Sequence, residues 1–179
     1  MSTPAPVEPD TKDWTWVLAR PCPECGLDAA AVPAGQVAQR GRDNAAAWAA
    51  VLAGPVRERP APATWSPLEY GCHVRDVLRL YDERLVLMLE QDDPLYANWD
   101  QDATAVEQRY GEQDPAVVAD ELAQAARRVA DRFAALAPEQ WARTGRRSDG
   151  ASFSVTSFSQ YFLHDVVHHL HDVREPGPR

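Results

Sequence analysis

Ser66-Pro67-Leu68-Glu69-Tyr70-Gly71-Cys72-His73-Val74-Arg75-Asp76 is the stretch whose reading decides the fold. A serine can cap the free amides of a first helical turn, and proline suits the first helical position because its missing N–H would go unused there. A glutamate three residues after the serine can return a bond to the cap. Beyond this start, Tyr70, Val74, Val77, Tyr81, Leu85 and Met88 recur at helical intervals and form one apolar stripe, which carries the helix to about Glu90 or Gln91.

Working outward, Asp114-Pro115 repeats the cap and proline and opens a helix that reaches Leu136. Residues 92–113 form a long connection with a short helix near Thr104 to Arg109. A turn at Pro138 to Trp141 and a loop from Thr144 to Gly150 precede a last helix from Ser154 to Val173. On the N-terminal side, a helix from Pro33 to Ala53 stops at Gly54-Pro55, and a Pro-rich connector fills 54–65. Clean strand alternation is absent. The expected fold class is therefore all-α, an up-down four-helix bundle over residues 33–174, with an irregular N-terminal arm at 1–32 and a tail at 175–179. Trp14, Trp16, Val17 and Leu18 suggest that the arm docks on the bundle beyond a mobile polar start, Met1 to Asp13.

Bulk chemistry narrows the function. The 179 residues carry a formal net charge of −9, and Lys12 is the only lysine. No basic face is available for phosphates, so neither nucleic acid nor an anionic membrane is an expected partner. No run approaches the roughly 20 apolar residues of a membrane span, and Met1 to Asp13 has no signal-peptide core. The expected location is cytoplasmic.

The five histidines fall at His73 and in Tyr161-Phe-Leu-His164-Asp-Val-Val-His168-His-Leu-His171. At about 100° per residue, His168 lies about 40° from His164, Tyr161 about 60° and His169 about 140°. Phe162, Val166, Leu170 and Val173 make a separate apolar face. The spacing of His164 and His168 stacks two imidazoles with Cβ atoms about 5–6 Å apart, a common way to share one metal ion. Alone, that spacing is a weak signal. His73 sits on the flank of its helix and alone reads as a hydrogen-bonded polar residue.

Together, Trp65-Ser-Pro-Leu-Glu-Tyr-Gly-Cys-His73-Val-Arg-Asp and Phe162-Leu-His164-Asp-Val-Val-His168-His-Leu resemble the DinB-like superfamily of metal-binding bundles, over roughly residues 35–173. That superfamily includes mycothiol-dependent maleylpyruvate isomerases and bacillithiol transferases. The resemblance implies a divalent ion, zinc or nickel, on His73, His164 and His168. It also implies a thiol of the mycothiol type as co-substrate, used in S-transfer to, or isomerisation of, a small electrophile. The alternative is a non-catalytic metal-binding bundle with a stress-response or interaction role. Family members often pair as homodimers. Tyr161, Asp165 and Asp76 are candidates to receive the ligands' other N–H, and Arg75, Arg79 or Arg146 could meet a substrate carboxylate. No catalytic residue is assigned.

Cys22-Pro-Glu-Cys25-Gly26 resembles one knuckle of a zinc ribbon, without a second CxxC to complete it. Cys72, His169 and His171 are the remaining soft donors. Three readings stay open for the pair: a half-site completed by other groups, a redox dithiol, or a reduced turn without chemistry. A metalloprotease is a poor third reading, because Asp165 stands where HExxH needs glutamate and only eleven residues follow His168 to supply a third ligand.

Overall fold

The computed structural model describes residues 13–175. Most of the Met1 to Asp13 segment, and residues 176–179 of the expected tail, lie outside the described residues. The long helices are α1 (Ala34–Leu52), α2 (Pro67–Glu90), α4 (Pro115–Ala134) and α5 (Val155–Arg174), with a short α3 (Gln101–Glu107) in the long connection.

The caps read from the sequence are present. Glu69 N–H donates to Ser66 Oγ at 3.3 Å, and Ser66 N–H donates to Glu69 Oε2 at 2.8 Å. Arg59 reaches back from the Pro-rich connector and donates to the same carboxylate, Nε to Oε2 at 2.9 Å. Burial opposes the charge on Glu69, yet the bonds from Arg59 and Ser66 hold its pKa below the usual glutamate range. Asp114 caps α4 through Ala116 N–H at 2.8 Å, and Ser154 caps α5 through Ser157 N–H at 3.1 Å.

The helix order departs from a simple up-down bundle. α1 and α2 each pack against both α4 and α5 and touch each other only sparingly, so they stand diagonally across the core. The connector is long enough to make that crossing. At the crossing, Gly71 makes room for Leu52: a Cβ there would lie 2.8 Å from a Leu52 methyl. The core is filled by Trp48, Leu68, Tyr81, Leu85, Leu122, Phe133, Phe158 and Phe162, all nearly inaccessible.

Strictly all-α is also corrected. A three-stranded sheet of β1 (Leu95–Tyr96), β2 (Thr144–Arg147) and β3 (Ser152–Ser154) closes one end, with β1 parallel and β3 antiparallel to β2. The loop expected at Thr144 to Gly150 is thus a strand and its turn, with Gly150 at φ +100°. Strands this short cannot display alternation, but Asp149-Gly150 is a hairpin signal.

α5 is fixed in rotation by its apolar face. Phe158, Phe162, Val166 and Leu170 are buried, and Asn44 of α1 donates to Val166 O at 3.0 Å. This phase determines which side chains point at α2 and which at the arm.

Candidate metal centre

The structure does not bring His73, His164 and His168 to one point. Among the described residues His73 groups with Asp165 and His169, His164 and His168 group with Cys22 and Cys25, and His168 also groups with Glu24 and Asp172.

The first cluster lies between α2 and α5. His73 Nε2 and His169 Nε2 stand 3.0 Å apart, and Asp165 Oδ1 is 3.1 Å from the same His169 nitrogen. His169 Nδ1 faces Asp172 Oδ2 at 3.3 Å. His73 is buried, while Asp165 and His169 are partly exposed. Ligands at about 2.0–2.2 Å from one ion stand roughly 3.0–3.5 Å from one another, so the separations fit a shared divalent ion. Two imidazoles and one carboxylate are a familiar donor set for a site that leaves coordination open.

Three aromatic rings hold this cluster. Trp99 stacks on His73 with centroids 5.3 Å apart and planes 8° apart, and Trp65 meets the same imidazole at 5.2 Å. Tyr70 packs on His169 at 5.6 Å. A surface cleft of about 410 Å³ is lined by Trp65, Tyr70, Pro67, Arg59, Asp172 and Val173 among others, and by none of His73, Asp165 and His169. Charge inside the cluster is already organised. Burial opposes a charged His169, but Asp165 and Asp172 outweigh it and raise its pKa to about 9. Burial also opposes the Asp165 carboxylate, which His169 nevertheless holds below the usual aspartate range. An ion would take the place of that proton.

The second cluster lies between α5 and the arm. Cys22, Cys25, His164 and His168 each bring a ligand atom within 4.8 Å of the others, with Cys22 Sγ 3.7 Å from His168 Nδ1. Cys22 is only 1% exposed, and the two cysteines are not disulfide-bonded. The knuckle closes through Gly26 N–H to Cys22 O and Cys22 N–H to Leu27 O, both 2.9 Å, with Gly26 at φ +74°. Trp14 covers both imidazoles at 5.7 and 4.9 Å. Burial first, and the neighbouring His168 second, push His164 down to about 4. Burial raises the Cys25 thiol to about 11. These are groups kept neutral in the absence of an ion.

The remaining expected site residues go elsewhere. Asp165, expected to support a ligand, sits among the donors itself. Asp76 accepts from the Tyr110 hydroxyl at 2.6 Å and pairs with Arg75 and Arg79. Tyr161 faces Arg147 and Phe153. Arg75 is buried and bonded to Asp76, Gln113 and Glu121, and Arg146 pairs with Asp93. Cys72 is buried and directs its thiol to Tyr110 O. Neither His169, which the helical wheel turns away from the other histidines, nor Asp172 stands among the metal ligands expected from the sequence. The available signal was Asp165-x-x-x-His169, the same spacing one residue further on.

The DinB superfamily profile matches residues 36–173. This chain belongs to the DinB superfamily. YfiT from Bacillus subtilis, described as a probable metal-dependent hydrolase with an unusual four-helix bundle topology, superimposes with a TM-score of 0.68 at 15% identity. The match covers 81% of this chain and 89% of YfiT, and at that identity it shows the shared fold. No curated protein matches in sequence. Among the described residues no helix is long and apolar enough to cross a membrane.

Proposed function

We propose that this DinB-superfamily chain is a metal-dependent enzyme in which a low-molecular-weight thiol of the mycothiol type is transferred to, or isomerises, a small electrophile. The supporting observation is the convergence of His73 Nε2, His169 Nε2 and the Asp165 carboxylate, whose neighbours Trp65, Tyr70 and Asp172 also line a surface cleft. His73, Asp165 and His169 would hold a divalent ion, zinc or nickel, which when bound supplies the positive charge that lowers the pKa of a coordinated thiol at neutral pH.

The protein's own groups set up that chemistry. Asp172 accepts from His169 Nδ1–H and thereby fixes which imidazole nitrogen is offered to the ion. Trp99 and Trp65 pin the His73 ring from two sides. Trp65, Tyr70, Pro67 and Val173 give the cleft an apolar wall, with Arg59 and Asp172 supplying polarity. Its volume suits a small molecule.

A second reading is hydrolysis, with water in place of the thiol, and rests on the description of YfiT. A third is a bundle that holds metal without catalysis, in a stress or interaction role. Metal-loaded protein should be assayed with mycothiol and a panel of electrophiles, and separately with activated esters and amides. Thiol-dependent turnover lost in His73→Ala is the expected result. Hydrolysis alone selects the second reading. Silence in both assays with metal bound selects the third.

A further inference from the structure

We infer that Cys22, Cys25, His164 and His168 form a second, closed metal site of the structural zinc type, which clasps the N-terminal arm to α5. The family pattern concerns the bundle, and nothing in it calls for a ligand from the arm.

The donor set comes first. Two thiols and two imidazoles from a C-x2-C knuckle and a helical H-x3-H pair match the composition of structural zinc sites. All four ligand atoms already lie within 4.8 Å of one another. Around a tetrahedral ion, Zn–S of about 2.3 Å and Zn–N of about 2.0–2.1 Å put sulfur and nitrogen about 3.6 Å apart. Cys22 Sγ and His168 Nδ1 stand at 3.7 Å.

The second observation is independent of spacing. His164 is 3% exposed, and its Nε2 is buried with no hydrogen-bond partner among the described residues. A buried polar nitrogen left so costs stability unless something binds it. His168 turns Nδ1 toward Cys22, and its Nε2 lies at ion-pair separation from two carboxylates, Asp172 at 3.7 Å and Glu24 at 3.6 Å. Trp14 lies over both imidazoles. With four protein donors and this cover, the site offers no position for a substrate. Binding of Zn2+ displaces the two thiol protons to solvent and leaves two thiolates on the metal, with no redox change.

Cobalt(II) reports the chemistry directly, because thiolate-to-cobalt charge transfer in the near ultraviolet requires a sulfur ligand. The full chain, reconstituted with cobalt, should show that band. The Cys22→Ser/Cys25→Ser variant should lose the band and one metal equivalent, while Cys72→Ser keeps both. His73→Ala should keep the band, so failure of the open cluster is seen separately from failure of this one. Should the double variant not fold, the unmodified zinc protein still gives a test: an organomercurial should release one zinc as two thiols react. A wild-type protein without the band, a band that survives in the double variant, or a Cys22–Cys25 disulfide in protein kept under reductant would each overturn the inference.

Discussion

The α2-facing and arm-facing sides of α5 carry similar ligand pairs, Asp165/His169 and His164/His168, set one residue apart. Their neighbours make them different. Toward α2, one more imidazole arrives, from His73, and the walls are Trp65, Trp99 and Tyr70 beside a cleft. Toward the arm, two thiols arrive and Trp14 lies over the rings. Three hard-to-intermediate donors leave an ion room to bind something else, whereas four donors with sulfur satisfy it. A helix face therefore becomes reactive or structural by what the rest of the chain brings to it.

The strongest way to break the comparison is to remove one donor from the open side. His73→Ala or Asp165→Asn should reduce turnover at least about 100-fold, on the scale expected for loss of metal-based catalysis. Melting temperature should fall for His73→Ala, which leaves a cavity between Trp65 and Trp99, and the thiolate-to-cobalt band should persist in both variants. If either variant instead releases the arm to protease, the two sides are not separable.

Stripping metal from the arm side gives the next effect. A chelator, or Cys22→Ser/Cys25→Ser, should make the segment from Trp14 to Val32 the first point of proteolytic cleavage. The helical circular dichroism should remain, because the core shared by α1, α2, α4 and α5 takes only Val32 from the arm, with Leu18 and Leu27 packed against it. Loss of helix on chelation would show that the arm site supports the whole bundle.

Asp172 sharpens the comparison, since it serves both sides: Oδ1 lies 3.7 Å from His168 and Oδ2 lies 3.3 Å from His169. Asp172→Asn should weaken metal affinity in both clusters, by about 10–100-fold in the open one and less in the thiolate one. Competition titrations with a chromogenic chelator would measure both. An effect confined to one cluster would assign Asp172 to that cluster alone.

The smallest effect concerns the helix start that places His73. Glu69→Gln should cost about 1–3 kcal/mol by weakening the buried bonds to Arg59 and Ser66. Because the folded-state pKa of Glu69 lies below the ordinary value of 4.5, its contribution is full above that value and fades as pH falls through the lowered pKa. Urea midpoints at neutral and acid pH should therefore converge for wild type and variant. A constant gap across pH would place the stabilisation in packing.

Much of this was written locally. Ser66-Pro67, Asp114-Pro115 and Ser154 are caps whose chemistry acts within three residues, so helix starts were legible. The CxxC knuckle and the histidine-rich helix were visible as donors. The partnering was not legible, because it depends on the rotation of α5, which Phe162, Val166 and Asn44 set through packing across the core. A wheel centred on His164 and His168 turned His169 away from them, correctly, and left open what lay in that direction. The diagonal placement of α1 and α2 was equally hidden, since a connector's length permits a crossing without requiring it.

The one-residue offset between the two pairs has a further meaning. A single residue inserted ahead of His164 would turn the remainder of α5 by about 100°. His164 and His168 would then face His73, and the cysteines would lose their imidazoles. Val166 and Leu170 would leave the core, so the price is steep, but the same letters would spell the other site. α5 is thus read in a frame, and Phe162 marks where that frame begins.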